Sequence, residues 1–292
     1  MYEYYTEREG APEGCYTDLA LERRRADTTV TGVEYKKEIG LGGIWERIKI
    51  DSEEGARSIG KPKGIYDTLI IQRMDLLDEE SIDDAKDEIS RELCYLCDVE
   101  EVIPEKVLVV GLGNSELTPD SVGAKSADCV KPTMHIKHFD ERFFNELECS
   151  EIAVCKPGVG AKSGLDSFTV VKGISDMIKP DVIIAIDALA SRSPRRLGTT
   201  LQLSNTGILP GSGLGRGAKA LSKETLGVPV IAIGIPTVID SRMFSKERTA
   251  IHLDKEYSDS GMFVSPKEID GIVASAAGII GGGINQAFGL FI

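Results

Sequence analysis

The sequence has 292 residues, of which 41% are hydrophobic and 28% are charged, and these values exclude wholesale disorder. Its 34 basic residues are outnumbered by 47 acidic ones, giving a net charge of −13, so direct binding to nucleic-acid phosphates is disfavoured. The length predicts one large α/β domain with insertions rather than several domains.

The chain shows no sign of export or membrane insertion. The start, Met1 to Glu9, lacks a basic segment followed by an apolar core, and the stretch from Gly271 to Ile284 is too short and glycine-rich for a bilayer span. Six scattered cysteines in such a chain favour free thiols. The pair Cys94 and Cys97 has no second pair to complete a zinc site and is interpreted as packing. We therefore expect a soluble cytoplasmic protein.

The first hundred residues predict a polar extension followed by strands and a helix. Residues 1–27 are polar and charged and are interpreted as an extension outside the core. Partial alternation predicts three strands, the first two paired across a glycine turn: Val30–Ile39, Trp45–Ile50 and Gly64–Gln72. Apolar residues at helical spacing within the acidic run Asp78–Glu92 predict an amphipathic surface helix.

From residue 106 onward, strands alternate with helices. Four short apolar runs, each typical of a strand buried on both faces, are Lys106–Gly111, Ile152–Cys155, Asp181–Asp187 and Val228–Ile235. Leu165–Ile178 fits a crossover helix, and Pro266–Ala287 fits a terminal helix that Gly281–Gly283 would break early. The pattern predicts a mainly parallel sheet covered by helices.

Two aspartates follow apolar strands and are the candidate catalytic residues. Asp120 lies in the loop after the first run, and Asp187 closes the run from Val182. Ligands collect at the carboxyl ends of parallel strands, and a partly desolvated carboxylate there has a raised pKa suited to proton transfer. The alternatives are that Asp120 begins a helix, that Asp187 caps the next segment or pairs with Arg192, and that Glu116 is the acid of this loop.

Other chemistries have weaker support in the sequence. The glycines of Gly207–Gly217 match neither a phosphate-binding loop nor a dinucleotide fingerprint, so a turning loop is the simpler interpretation. His135 and His138 are three residues apart and could be two metal ligands on a helix, but Pro132 and the alternation of this stretch predict a strand, where the two rings would point to opposite faces or lie on the surface. No serine-nucleophile elbow occurs.

Three longer passages together resemble the germination protease family of endospore-forming bacteria. They are Gly111–Asp120, Pro180–Ser193 and Leu203–Gly215, and Ala232–Asp240 and Met262–Asp270 extend the likeness. The resemblance covers most of residues 106–270, is thin over residues 28–100, and departs after Pro157-Gly158-Val159 in the loop 156–163.

The resemblance implies an endopeptidase that degrades the small acid-soluble proteins of spores during germination. It implies a three-layer α/β/α sandwich with a smaller β-containing elaboration at the amino terminus, similar to hydrogenase-maturation proteases. The family's two essential aspartates match Asp120 and Asp187. Because no matching histidine is visible, we expect an aspartate pair that activates water with no metal or other cofactor. The alternatives are a metal-dependent peptidase and a non-catalytic phosphate- or peptide-binding protein.

The resemblance also implies a zymogen that removes its own amino terminus. Residues Thr17 to Glu22 match the family's pattern, so cleavage is expected between Asp18 and Leu19, leaving residues 19–292 as one peptidase domain. An exposed extension would be easily cleaved, although Thr17-Asp18 is alternatively the cap of a helix through Leu19–Ala26. By the same resemblance the partners are spore proteins and three further copies in a homotetramer, in the cytoplasm of the spore core.

Overall fold

A single mixed sheet organises the computed structural model, which describes residues 17–24, 30–211, 219–241 and 262–289. Within these ranges the strands lie in the order β1-β2-β3-β7-β8-β6-β4-β5, and β9 pairs with β8. Their bounds are β1 Val33–Ile39, β2 Ile44–Ile50, β3 Gly64–Ile70, β4 Lys106–Gly111, β5 Glu151–Cys155, β6 Val182–Ser191, β7 Thr200–Ser204, β8 Val230–Asp240 and β9 Phe263–Val264.

The centre of the sheet is parallel and its amino-terminal side is antiparallel. Strand β4 pairs in parallel with β5 and β6, and β6 pairs in parallel with β8. Strands β1, β2 and β3 form an antiparallel meander that joins the centre through β7. The predicted α/β class is confirmed, and the amino-terminal strands extend the same sheet because β3 pairs with β7.

Helices cover both faces of this sheet. In the described part of the chain they are α1 Glu53–Ile59, α2 Glu79–Val99, α3 Val122–Cys129, α4 Met134–Phe139, α5 Glu141–Glu146, α6 Gly160–Ser163, α7 Ser167–Ile178, α8 Lys223–Leu226 and α9 Ile269–Phe288. Helices α2 and α9 pack over one face in the largest apolar core, and α7 packs over the other. The predicted strands, acidic helix and crossover helix are therefore confirmed, with ends shifted by a few residues.

Helix α9 corrects the expectation of an early break at Gly281–Gly283. A Cβ at Gly281 would lie 2.4 Å from Cβ of Cys129 on α3, and one at Gly283 would lie 2.7 Å from the Ile89 side chain on α2. The glycines therefore let three helices approach closely, and that packing outweighs their low helix propensity. Helix α9 alone, among described helices, is long and apolar enough to span a membrane, but 56% of that apolar window is buried within the protein.

The two histidines are the other correction to the elements. His135 and His138 lie on helix α4, not on a strand, and both are exposed. The preceding Pro132 lies outside the helix, where its missing N–H and fixed φ do no harm. Cys97 is buried in α2 as a free thiol, and burial raises its pKa to about 12, so packing is the supported interpretation of Cys97, whereas Cys94 is an exposed free thiol.

On the face covered by α7, the core divides into two apolar clusters. One surrounds Leu108, Ile183 and Val171. The other surrounds Ile48, Ile50 and Tyr66 on the antiparallel side and includes Ala20 from the amino-terminal segment. Strand β7 lies between β3 of the second cluster and β8 of the first, and the side chains of Asp187 and Gln202 considered next lie on this face.

Candidate active site

Asp187 lies at the point where β6 loses its neighbour β4. Pairing between these strands ends at Ile186, whereas β6 itself continues to Ser191, longer than the sequence predicts. The Asp187 side chain is buried, and its Oδ1 accepts the N–H of Ala188 at 2.9 Å. Burial raises the pKa of Asp187 well above its usual range, and the negative charge of Asp120 raises it further. This carboxyl therefore holds its proton well above the pH at which an exposed aspartate loses it.

Asp120 reaches the same region from the loop that follows β4. It ends a short 3-10 helix, Thr118–Asp120, and its Oδ2 accepts the N–H of Asn114 at 2.8 Å. Burial raises its pKa, and the Asn114 N–H opposes this increase by stabilising the anion. The alternative helix start at Thr118-Pro119-Asp120 is thus present as this short 3-10 turn, with proline and the acid in its first turn, and the Asp120 side chain binds a loop N–H from there.

Gly113 permits this loop to fold back on Asp120. Its φ is +89°, and a Cβ there would lie 2.0 Å from the Asp120 carbonyl oxygen. Only glycine fits such a close approach in the left-handed region. Glu116, the other acid of the loop, is exposed and pairs with Lys162 at 2.6 Å, so its carboxylate faces solvent, unlike those of the half-buried Asp120 and the buried Asp187.

The described part of the amino-terminal segment, residues 17–24, lies against these strands instead of extending into solvent. Thr17, Asp18, Leu19 and Ala20 are all buried, which corrects the expectation of an exposed extension at these positions. The N–H of Asp18 donates to the Ala190 carbonyl at 2.9 Å, and the Ala190 N–H donates to the Asp18 carboxylate at 2.8 Å. The charge of Asp18 is also among the causes of the raised pKa of Asp187.

The structure does not support the alternative that Thr17-Asp18 caps a helix. The only helical turn in residues 17–24 is a 3-10 turn at Leu21–Arg23, whose cap position is Ala20 without a capping side chain. The Asp18 carboxylate instead accepts the Ala190 N–H, and this hydrogen bond fixes the segment to β6.

Glu22 anchors the segment beyond the end of β6. Its carboxylate accepts the N–H groups of Arg192 at 2.6 Å and Ser193 at 3.0 Å and the hydroxyl of Ser191 at 2.6 Å. The Arg196 guanidinium pairs with it at 3.4 Å, and both side chains are largely buried. Hydrogen bonds to a buried charge are strong, so this contact holds residues 17–22 in one position.

Gln202 on β7 contacts the segment on both sides of Leu19. Its Oε1 accepts the N–H of Ala20 at 2.8 Å, and its Nε2 donates to the carbonyl oxygen of Asp18 at 3.4 Å. Lys61 lies in the field of Asp18, and its burial lowers its pKa to about 8. Sequence reasoning missed Gln202 and Lys61. The one available signal was a glutamine inside the apolar run Thr200–Ser204.

Two other candidate sites receive no support from the described residues. Most of the glycine-rich stretch Gly207–Gly217 lies outside the described ranges, which end at Gly211 and resume at Lys219. Among the side chains that the structure describes, no three histidines, cysteines or acids come together as a metal-binding group. In the part of the chain that the structure describes, the half-buried Asp120 and the buried Asp18 both act electrostatically on Asp187, and Gln202 is hydrogen-bonded to the segment that carries Asp18.

Comparisons with known proteins find similarity to peptidases. The family model described as germination protease matches residues 15–260. The chain is 36% identical to the germination protease of Caldanaerobacter subterraneus subsp. tengcongensis, covering 94% of each chain. It is 33% identical to that of Clostridium perfringens strain ATCC 13124, covering 93% of this chain and 94% of the relative. With that of Bacillus thuringiensis subsp. konkukian it shares 39% identity over 77% of this chain and 63% of the relative.

A solved structure also matches at a low level. A NiFe hydrogenase maturation protease from Thermococcus kodakarensis aligns with a TM-score of 0.36 and 16% identity, over 64% of this chain and 99% of that one. A likeness of this size is too low to carry an argument about the present chain.

Proposed function

The chain belongs to the germination protease family and is an endopeptidase, and we propose that Asp120 and Asp187 activate the water molecule that hydrolyses the peptide bond. Its proposed substrates are the small acid-soluble proteins of spores, degraded during germination in the cytoplasm of the spore core. The first substrate is the chain itself, cut between Asp18 and Leu19. Residues 19–292 then form the mature peptidase domain, assembled as a homotetramer that makes no direct contact with nucleic acid or membrane.

One observation carries the proposal: the buried Asp18 lies beside β6 within the electrostatic reach of Asp187. The protein's own chain is therefore held against β6 near Asp187, as a bound peptide would be. Because Glu22 and Gln202 hold this segment on either side of Leu19, the bond between Asp18 and Leu19 has a defined position.

The two carboxyls receive different roles from their surroundings. Asp120, stabilised as an anion by the Asn114 N–H, takes a proton from water, whose oxygen attacks the Asp18 carbonyl carbon. Asp187, kept protonated by burial and by the charge of Asp120, donates its proton to the Leu19 nitrogen as the C–N bond breaks. Two acids whose environments separate their pKa values are suited to this division of labour.

The experiment follows self-cleavage of the full chain by intact mass and amino-terminal sequencing. Wild-type protein is expected to yield a new amino terminus at Leu19, whereas Asp120→Asn and Asp187→Asn lose this reaction by about 1,000-fold or more, as expected for essential acid-base groups. Asp176→Asn, at an exposed acid on α7, is the matched control and cleaves normally. Full activity in either site variant would overturn the aspartate pair.

The same preparation tests the substrates and the alternatives. The mature protein is expected to degrade purified small acid-soluble spore protein, and the Asp187→Asn variant is not. Loss of activity in a chelator, restored by a divalent ion, would instead select a metal-dependent peptidase. Light scattering of the purified chain measures its mass in solution and tests the tetramer.

A further inference from the structure

Gln202 contacts both peptide groups that flank Leu19. Its Nε2 donates to the carbonyl oxygen of the Asp18–Leu19 peptide at 3.4 Å, and its Oε1 accepts the N–H of the Leu19–Ala20 peptide at 2.8 Å. We propose that Gln202 is a further catalytic residue, which fixes the register of the substrate chain and stabilises the oxyanion that forms on the attacked carbonyl. This role rests on the proposed cleavage between Asp18 and Leu19.

The sheet holds Gln202 and Asp187 in one row. Gln202 of β7 and Asp187 of β6 both pair with Gly234 of the intervening strand β8. Paired residues direct their side chains to the same face, so both side chains project from one face, about 10 Å apart at two strand spacings. The Asp18 carbonyl accepts the Gln202 Nε2 hydrogen bond, and the Asp18 carboxylate acts electrostatically on Asp187, so Asp18 interacts with both ends of the row.

The burial of Gln202 makes it suited to stabilise a developing charge. The residue is 8% exposed and lies between Leu201 and Leu203 on a strand whose residues are all buried. A buried donor whose position is fixed before the reaction stabilises a transition-state charge more than a solvated donor does. The Oε1 contact with Ala20 fixes the amide orientation, so Nε2 faces the carbonyl.

The reaction step balances with Gln202 as donor. When water oxygen bonds to the Asp18 carbonyl carbon, Asp120 takes the water proton and the carbonyl electron pair moves onto oxygen. The resulting oxyanion accepts the Gln202 N–H, and the contact of 3.4 Å shortens as the carbon becomes tetrahedral. The electron pair then returns, the C–N bond breaks, and the Asp187 proton goes to the leaving nitrogen of Leu19. Gln202 itself gains and loses no proton.

The first test removes both polar atoms with little change in shape. Gln202→Met in the full chain is expected to slow self-cleavage by about 100-fold or more, the usual effect of losing an oxyanion donor. Gln72→Met, at an exposed glutamine, is the matched control and cleaves at the wild-type rate. Thermal unfolding of each variant shows whether the fold persists. A wild-type rate in Gln202→Met would overturn the proposal.

The second test separates the donor from a structural role. In Gln202→Glu the ionised side chain keeps an acceptor for Ala20 but has no donor, whereas its protonated form has an O–H donor again. The ratio of its cleavage rate to the wild-type rate is therefore expected to rise as pH falls, while the ratio for Gln202→Met stays constant. The titratable and charged groups around this segment are Asp18, Asp187, Lys61 and Arg23, and they are the same in all three proteins compared. A pH-independent ratio for Gln202→Glu would overturn the donor role.

The two proposals fail in different ways. If wild-type protein is not cut between Asp18 and Leu19, or is cut without Asp120 and Asp187, the proposed function fails and the role of Gln202 fails with it. If cleavage requires both aspartates but proceeds unchanged in Gln202→Met, only the role of Gln202 is overturned.

Discussion

Asp18 and Ala190 are joined by two hydrogen bonds, one between their main chains at 2.9 Å and one from the Ala190 N–H to the Asp18 carboxylate at 2.8 Å. The two residues are 172 positions apart in the chain. Through this pairing a segment next to the amino terminus becomes part of the site built by the centre of the sheet. The proposed self-cleavage depends on this pairing, because it holds the Asp18 peptide against the strand that carries Asp187.

The rate of self-cleavage is expected to have a bell-shaped dependence on pH. The proposed mechanism needs Asp120 ionised and Asp187 protonated, so the rate is expected to rise as Asp120 loses its proton and to fall as Asp187 loses its own. Burial raises both pKa values, and the charge of Asp120 raises that of Asp187 further. Both limbs therefore lie above the usual aspartate value of about 3.9, and their apparent pKa values belong to the coupled pair. Intact-mass measurements across pH test this, and a rate that rises steadily into alkali would contradict it.

Asp187→Asn is expected to make the folded protein more stable at neutral pH. Because the folded pKa of Asp187 is raised, its stabilising contribution is complete below the unfolded pKa and is lost as pH rises towards the folded pKa. Because asparagine does not ionise, the variant does not lose stability in this way as the pH rises. The unfolding temperature of the variant should exceed that of the wild type at neutral pH, by about 2–4 °C for each kcal/mol.

The pH dependence of this stabilisation provides its check. The difference in unfolding temperature should shrink as pH falls to about 3.9, the unfolded value. Asp176→Asn, which changes an exposed acid, should show no comparable trend. A variant that is less stable than the wild type at every pH would show that Asp187 is retained for folding rather than for chemistry.

Glu22→Gln is expected to loosen the amino-terminal segment. The change keeps the shape but removes the charge that accepts the N–H groups of Arg192 and Ser193 and pairs with Arg196. Hydrogen bonds to a charged group contribute about 1.5–3 kcal/mol, so the undocked population should rise about 10- to 100-fold. Trypsin cleavage after Arg23, measured in the Asp187→Asn background to prevent self-cleavage, should accelerate by a similar factor because it follows the open population.

A matched acid on helix α1 controls the trypsin experiment. Glu54 is exposed, so Glu54→Gln in the same background should leave the trypsin rate unchanged. Equal rates in Glu22→Gln and its parent would mean that the carboxylate contacts do not hold the segment in place.

Gly113→Ala is expected to impair cleavage more than stability. The new Cβ would lie 2.0 Å from the Asp120 carbonyl oxygen, so the loop must move and Asp120 leaves its position. Gly158→Ala is the control, because Gly158 also has a positive φ but nothing lies within 4 Å of its Cβ position. Both variants have backbone strain of about 1 kcal/mol, measurable by denaturant unfolding. Equal cleavage rates in the two variants would contradict the role of this loop.

The strands and the two aspartates were predictable from local patterns. The apolar runs ending near Gly111 and Asp187 are strands buried on both faces, since neither face of a covered parallel sheet meets water. The rule that sites lie at the carboxyl ends of such strands then identified Asp120 and Asp187 as candidates before their burial and electrostatic coupling were known. That both belong to the catalytic site stays a prediction.

Helix α9 and the amino-terminal segment were not predictable in the same way. The glycines of α9 predict a break when only local propensity is considered, but the helix continues because Cys129 and Ile89 pack directly against them. Local sequence predicts a polar extension at residues 17–20, because the partners that bury them, Ala190 and Gln202, lie far along the chain. Pairing across such distances is decided by the register of β6, β7 and β8, which local sequence does not encode.

The sequence by itself determined the class of fold, the apolar strands and the two acids, because burial and strand-end position leave local patterns of side chains. Only the tertiary structure decided that Asp18 lies beside Asp187, that Glu22 is bound beyond the end of β6, and that Gln202 faces the bond after Asp18. These contacts arise when strands distant in the chain become neighbours and share one face of a sheet.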